Sequence, residues 1–395
     1  VGADAEQTIA RRWRAGPWAE LALVIALALV VHLATLTQPG LGDEDALLCA
    51  RDRIGEGASP YACARYLHPP LFARVFVSVA ATLGTYGALL VVRVATLLGA
   101  AALALYAASL AAPRRAVARL GVAAALLCIA PWIVVSIDKG NVAVLVAAIT
   151  VLALRRAEDR PLAMGALAGL GLALKPAAIG AVLVLGLAPR TVRPPWRFFG
   201  ACGGVFVAAL GLTWRDTIAW TAQRQTLGLD AGGNAAVVRA VELLTGVAVP
   251  AWLAGGVVVG IGLALVRRGA RDRAHAAAIA LWAAVFCVPR VWVQSMSMLV
   301  PVVAACAAHA VVAIRRRDDD PDESVRGLVS VLAIAALAVA DPLASWPELP
   351  RAAQGLLAFT PCVAGLWLAL RFPLVGACSE RPREAPAEPL TPAVR

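Results

Sequence analysis

YGALLVVRVATLLGAAALALYAASLAA, residues 86–112, decides the fold class, because Arg93 is its only charge. A hydrocarbon core about 30 Å thick is crossed by about 20 apolar residues in a helix. Within lipid no water pairs with a free N–H or C=O, so a crossing segment must satisfy its own backbone, as a helix does. Runs of the same kind recur at Trp18 to Thr37, Val117 to Ile137 and Val247 to Val266. Of the 395 residues 61% are hydrophobic and 15% charged, whereas soluble domains are about a quarter charged. The chain reads as an all-α polytopic membrane protein, a bundle of about 10–12 transmembrane or half-spanning helices with outer-face loops.

The basic residues lie between these runs and set the topology. The pI near 9.9 therefore points to membrane orientation and not to nucleic acid. Clusters fall at Arg114-Arg115, Arg155-Arg156, Arg190 to Arg197, Arg267 to Arg273 and Arg315-Arg316-Arg317. With the N-terminus in the cytoplasm, 24 of the 36 lysines and arginines lie inside and 12 outside, as the positive-inside rule expects. Arg11, Arg12 and Arg14 precede a first run that is too long for a signal peptide, so a retained first helix is expected. The expected location is a plasma or inner membrane, crossed many times. Residues 1–378 form one transmembrane domain in this reading, and the Pro-rich stretch 379–395 is a disordered cytoplasmic tail.

Two outer loops are expected, at 38–86 and 214–245. The first includes a marginal apolar stretch, Leu71 to Leu83, placed at the outer interface. The middle of the chain is broken into short pieces: Asn141 to Leu154, Leu162 to Leu174 and Ala177 to Leu187. Interrupted helices at membrane depth are tolerated where they line a cavity.

Three acids, Asp43-Glu44-Asp45, open the first outer loop. Two readings of them stand: a helix N-cap with acids favouring the helix dipole, or carboxylates for chemistry. The lysines bear on that choice. The chain has 34 Arg but only Lys139 and Lys175, each at the outer end of a broken segment. Lys175 between apolar half-helices either snorkels to pair with Asp138 or faces an anion as a compact point charge, suited to phosphate.

The order of these residues resembles the GT-C glycosyltransferases that use polyprenyl-phosphate sugars, in the group of mycobacterial-type mannosyl- and arabinofuranosyltransferases called family 87. The resemblance covers about Trp18 to Pro301 and rests on Asp43, Gly57, Pro60-Tyr61 and Leu67-His68-Pro69-Pro70. It continues through Gly140-Asn141, Leu174-Lys175-Pro176 and Gly232-Gly233-Asn234. The chain departs from the family where His68 replaces a common Tyr, and where Gln294-Ser295 replaces a polar element often carrying His. The Gly-Asn element is also one or two residues shorter than usual. The resemblance implies a GT-C-like bundle and a transferase moving mannose or arabinofuranose from a lipid phosphate to a cell-envelope lipid or glycan on the outer side. It implies a metal-independent, inverting reaction without a cofactor.

Asp43 is then the expected general base, with Asp45 second. Lys175 is the leading partner of the donor phosphate, followed by Lys139, Arg215 and Arg224. His68, Tyr61, Asn141 and Asn234 are expected to bind substrate, although His68 serves a structural turn equally well. A transporter or flippase for a lipid-linked sugar is the alternative, and the missing internal repeat and the loop position of the acids stand against it.

Eight cysteines show no metal-site spacing. Most lie in apolar helices as small hydrophobes. Cys49 and Cys63 fall in the first outer loop, where an oxidising compartment favours a disulfide.

Overall fold

The computed structural model describes residues 17–37, 44–63, 66, 68–112, 116–226, 237–288, 291, 293–315, 321–344 and 348–372. Among the described residues every regular element is helical. Helix α1 (Pro17–Val31) and α2 (Leu33–Thr37) form the first apolar run. Helix α3 (Glu44–Gly55) and a 3₁₀ turn at Pro60–Ala62 build the first loop. The next helix, α4 (Pro70–Ala111), is 42 residues long and breaks at Gly84, where φ is 74° and ψ is 167°. Glycine takes this conformation without a Cβ clash. The Leu71 to Leu83 stretch is thus a separate helical arm, and the spanning part begins beyond Gly84.

Proline divides the next run. The Val117 to Ile137 stretch reads as one helix in sequence, but it forms α5 (Ala116–Ile129) and α6 (Pro131–Asp138), bent by 56°. Pro131 lacks an N–H and keeps Ala130 extended, at φ −71° and ψ 110°. Helix α7 (Ala143–Arg155) follows a turn at Lys139–Asn141. Helix α8 (Pro161–Leu174) ends at Lys175, extended before Pro176. A 3₁₀ turn at Pro176–Ala178 leads into α9 (Ile179–Gly186), and the pair is bent by 118°. Helix α10 (Trp196–Leu212) meets α11 (Trp214–Thr226) at a 92° bend, so the second loop begins by turning away from the bundle axis.

The remainder comprises α12 (Val237–Thr245), α13 (Ala251–Gly269) and α14 (Arg273–Phe286), then α15 (Val300–Arg315), α16 (Pro321–Ala344) and α17 (Arg351–Leu370). A 3₁₀ segment at Val293–Leu299 packs against α6, α7 and α14. Four described helices are long and apolar enough to cross a membrane, or up to seven with each bent pair counted as one span. Three shorter apolar helices accompany them. The protein is an all-α polytopic membrane protein. The tail at 379–395 and the clusters Arg114-Arg115 and Arg316-Arg317 lie outside the described residues.

Large apolar side chains such as Leu90, Val207, Trp252, Val257, Leu332 and Val363 are exposed, as a lipid-facing surface requires. The main core gathers Leu103, Leu127, Ile133, Trp282, Phe286 and Met296. A second cluster joins loop to bundle through Leu47, Tyr61, Tyr66, Phe72, Leu89, Val142 and Trp220.

Polar contacts separate two ends of the bundle. At one end Arg93 of α4 meets Glu44, and Lys175 meets Asn141. At the other, Arg155 lies over Tyr106, Arg119 pairs with Glu20, and Arg273 pairs with Glu158 and donates to Thr191 O. We call these the loop end and the arginine end.

Candidate functional site

The site is built at the loop end, where the first turn of α3 meets the turn between α6 and α7, itself hydrogen-bonded to the break after α8. Glu44 and Asp45 occupy that turn, where carboxylates complement the helix dipole. Their surroundings differ: Asp45 is exposed, whereas Glu44 is fully buried. Arg93 grips Glu44 with both arms, Nε to Oε1 and Nη2 to Oε2, each at 2.6 Å. This bidentate geometry is the strong form of the arginine–carboxylate pair.

Behind the carboxylate lies the turn between α6 and α7. Gly140 has φ +63°, and a Cβ built there would stand 3.1 Å from Glu44 Cγ and from its Oε1. Both the left-handed backbone and the close approach call for glycine. Asn141 is buried, and its N–H donates to Ser136 O at 2.8 Å. Its Oδ1 accepts from Ala143 N at 2.8 Å, an Asx turn that starts α7. The same Oδ1 accepts from Lys175 Nζ at 3.0 Å. Lys175 is half-buried at the break between α8 and Pro176–Ala178. Contacts therefore run from Arg93 through Glu44, Gly140 and Asn141 to Lys175.

The other expected residues fall around this core. Lys139 is exposed, immediately before Gly140. Arg215 is exposed at the start of α11, beside Asp216. Asp216 is buried and accepts from Arg74 Nε at 2.9 Å and Nη2 at 2.7 Å, which ties the second loop to the helical arm. Asp43, Asn234 and the side chain of Arg224 lie outside the described residues.

Tyr61 and His68 belong to an aromatic ladder with Tyr66 and Phe72, with ring centroids 5.0–5.8 Å apart. The Tyr61 hydroxyl donates to His68 O at 2.7 Å and that of Tyr66 to Pro69 O at 3.3 Å, so both phenols hold the loop backbone. Burial pushes the Tyr66 phenol well above its usual range, aided by the nearby Asp216 charge. A disulfide joins Cys49 of α3 to Cys63, with Cα atoms 6.0 Å apart. Cys202, Cys306 and Cys362 are buried in helices, whereas Cys128 is exposed on α5. Gln294 is buried, and its Oε1 has no hydrogen-bond partner among the described residues.

Sequence reasoning missed the Glu44–Arg93 pair. The available signal was Arg93 itself, a lone charge in an apolar run, which calls for a partner. Arg74 and Asp216 were passed over for want of any local signal.

Chemically, the loop end links the buried Glu44 carboxylate, through the Gly140–Asn141 turn, to a lysine at a helix break. Among the described residues no three His, Cys, Asp or Glu side chains are grouped to hold a metal ion. The family model for glycosyltransferase family 87 matches residues 66–295, which include the Gly140–Asn141 turn and Lys175. No curated protein and no solved structure matches the chain.

Proposed function

We propose that this chain, which belongs to glycosyltransferase family 87 and is a membrane glycosyltransferase, takes its sugar from a polyprenyl phosphate. The sugar is mannose or arabinofuranose, and the acceptor is a lipid or glycan of the cell envelope. The observation that carries the reading is the Lys175 ammonium, held by Asn141 at a helix break and linked by contact to the turn that begins with Glu44 and Asp45.

Transfer needs a base for the acceptor hydroxyl and a charge for the departing phosphate. In this reading Asp43 takes the hydroxyl proton, with Asp45 as the second candidate. The acceptor oxygen bonds to the anomeric carbon while the bond to the phosphate oxygen breaks. Its electrons leave with the polyprenyl phosphate, whose growing charge Lys175 stabilises. A single displacement of this kind inverts the anomeric centre. Lys139, Arg215 and Arg224 are secondary partners of the phosphate, and His68, Tyr61, Asn141 and Asn234 surround the substrates.

The arginine distribution supports a cytoplasmic N-terminus and an extracytoplasmic site, since the acids and both lysines avoid the basic clusters.

The test is incubation of the purified protein with polyprenyl-phosphate mannose or polyprenyl-phosphate arabinofuranose and an envelope lipid acceptor. One donor should be consumed with formation of glycosylated acceptor. Lys175→Ala should weaken donor binding and also slow transfer, because phosphate charge is present at the start and grows as the bond breaks. Consumption of a nucleotide sugar in place of either lipid donor would overturn the reading.

A further inference from the structure

We propose that Glu44, clamped by Arg93, is a positioning residue for transfer: it sets the Gly140–Asn141 turn and thereby the aim of the Lys175 ammonium. The inference rests on the reading that Lys175 holds the donor phosphate.

Three observations carry it. The Glu44 carboxylate meets the Arg93 guanidinium through both oxygens at 2.6 Å, and Glu44 and Arg93 are 0% and 4% exposed. An arginine on a spanning helix thus fixes where the carboxylate sits, and the pairing marks Glu44 for a role other than deprotonating an acceptor. The carboxylate in turn lies against Gly140, so closely that a Cβ there would stand 3.1 Å from two Glu44 atoms. Finally, the next residue, Asn141, divides one oxygen between Ala143 N and Lys175 Nζ.

The turn is stiff. Gly140 N donates to Ile137 O at 3.0 Å and Asn141 N to Ser136 O at 2.8 Å. In the proposal, a shift of the carboxylate is passed through this turn to Asn141. Lysine brings a flexible four-carbon stem and no fixed geometry of its own, so its aim depends on the acceptor that holds it. A misplacement of about 1 Å in such a group costs up to about 10²-fold in rate.

Glu44→Asp in the full chain tests this. It keeps the charge and draws the carboxylate back from Gly140 by one methylene. The donor KM should rise about tenfold while the acceptor KM changes far less. That factor should vanish in the Lys175→Ala background, as expected when one residue acts through the other. The proposal is overturned if Glu44→Asp leaves the donor KM unchanged, or if its full factor recurs without Lys175. In either case an impaired Lys175→Ala leaves the donor reading standing. If Lys175→Ala alone keeps wild-type donor KM and kcat, the donor reading fails, and this one with it. Should Glu44→Asp not fold, Gly140→Ala crowds the same contact from the turn and is judged by the same outcomes.

Discussion

The loop end and the arginine end both carry ion pairs, and they differ in how deeply the pairs are buried. At the loop end, Glu44 and Arg93 have side chains 0% and 3% exposed. At the arginine end, Arg119 and Glu20 are 20% and 11% exposed, Arg273 and Glu158 are each half exposed, and Glu323 meets His309 and Arg326 at the surface between α15 and α16. Exposed pairs keep most of their hydration and contribute little to stability; their arginines matter through where they stop in the membrane. A buried pair gives up that hydration and recovers it only through close geometry. Among the described residues the most deeply buried ion pair, Glu44 with Arg93, lies against a turn where the helical backbone is interrupted.

The largest effect that would sharpen this contrast is chemical. Asp43→Asn keeps shape and removes the proposed base, so turnover should fall about 10²–10⁴-fold while donor binding survives. If Asp45→Asn is dead and Asp43→Asn active, the base moves two residues along. If both stay active, the acids are a helix cap and the loop end loses its chemical distinction.

Arg93→Met comes next. It leaves the Glu44 carboxylate buried without the guanidinium that grips it, which should destabilise the protein by about 3–5 kcal/mol. Thermal unfolding in detergent reads this directly. A loss no larger than that of an arginine-end pair would erase the comparison.

Replacing Cys49 and Cys63 by serine should cost about 2–4 kcal/mol. The loss should be confined to the first loop, seen as faster proteolysis there with the helices intact. Uniform destabilisation of the bundle would show that the loop does not open alone. Arg273→Ala should do least, under about 1 kcal/mol, with transfer unchanged. A large effect on transfer would mean that the arginine end reaches the chemistry.

Much of this architecture was legible. The apolar runs marked the helices, since a span must satisfy its backbone locally. The short middle pieces marked the breaks, with Lys175-Pro176 at the sharpest. Asn141 and Lys175 were each visible, one beside a glycine and one through the scarcity of lysine, and the fold brings them to hydrogen-bond distance. The identity of the buried acid was not legible. Asp43, Glu44 and Asp45 are alike in sequence, and only a partner 49 positions away in the chain distinguishes Glu44. Nor was the bend at Pro131, because hydropathy does not register a missing N–H. The Arg74–Asp216 bridge spans 142 positions and has no local trace.

The hairpin of α8 and α9 has a further consequence. Its limbs have 14 and 8 residues, which rise about 21 Å and 12 Å. A hydrocarbon core is about 30 Å thick, so a limb that starts at one surface ends short of the other. On the proposed reading, Lys175 at the tip draws the lipid phosphate below its own headgroup plane before the sugar is moved. Extraction of that lipid becomes a step of turnover, and membrane thickness becomes a variable of the rate: a thicker bilayer deepens the descent, and a thinner one shortens it.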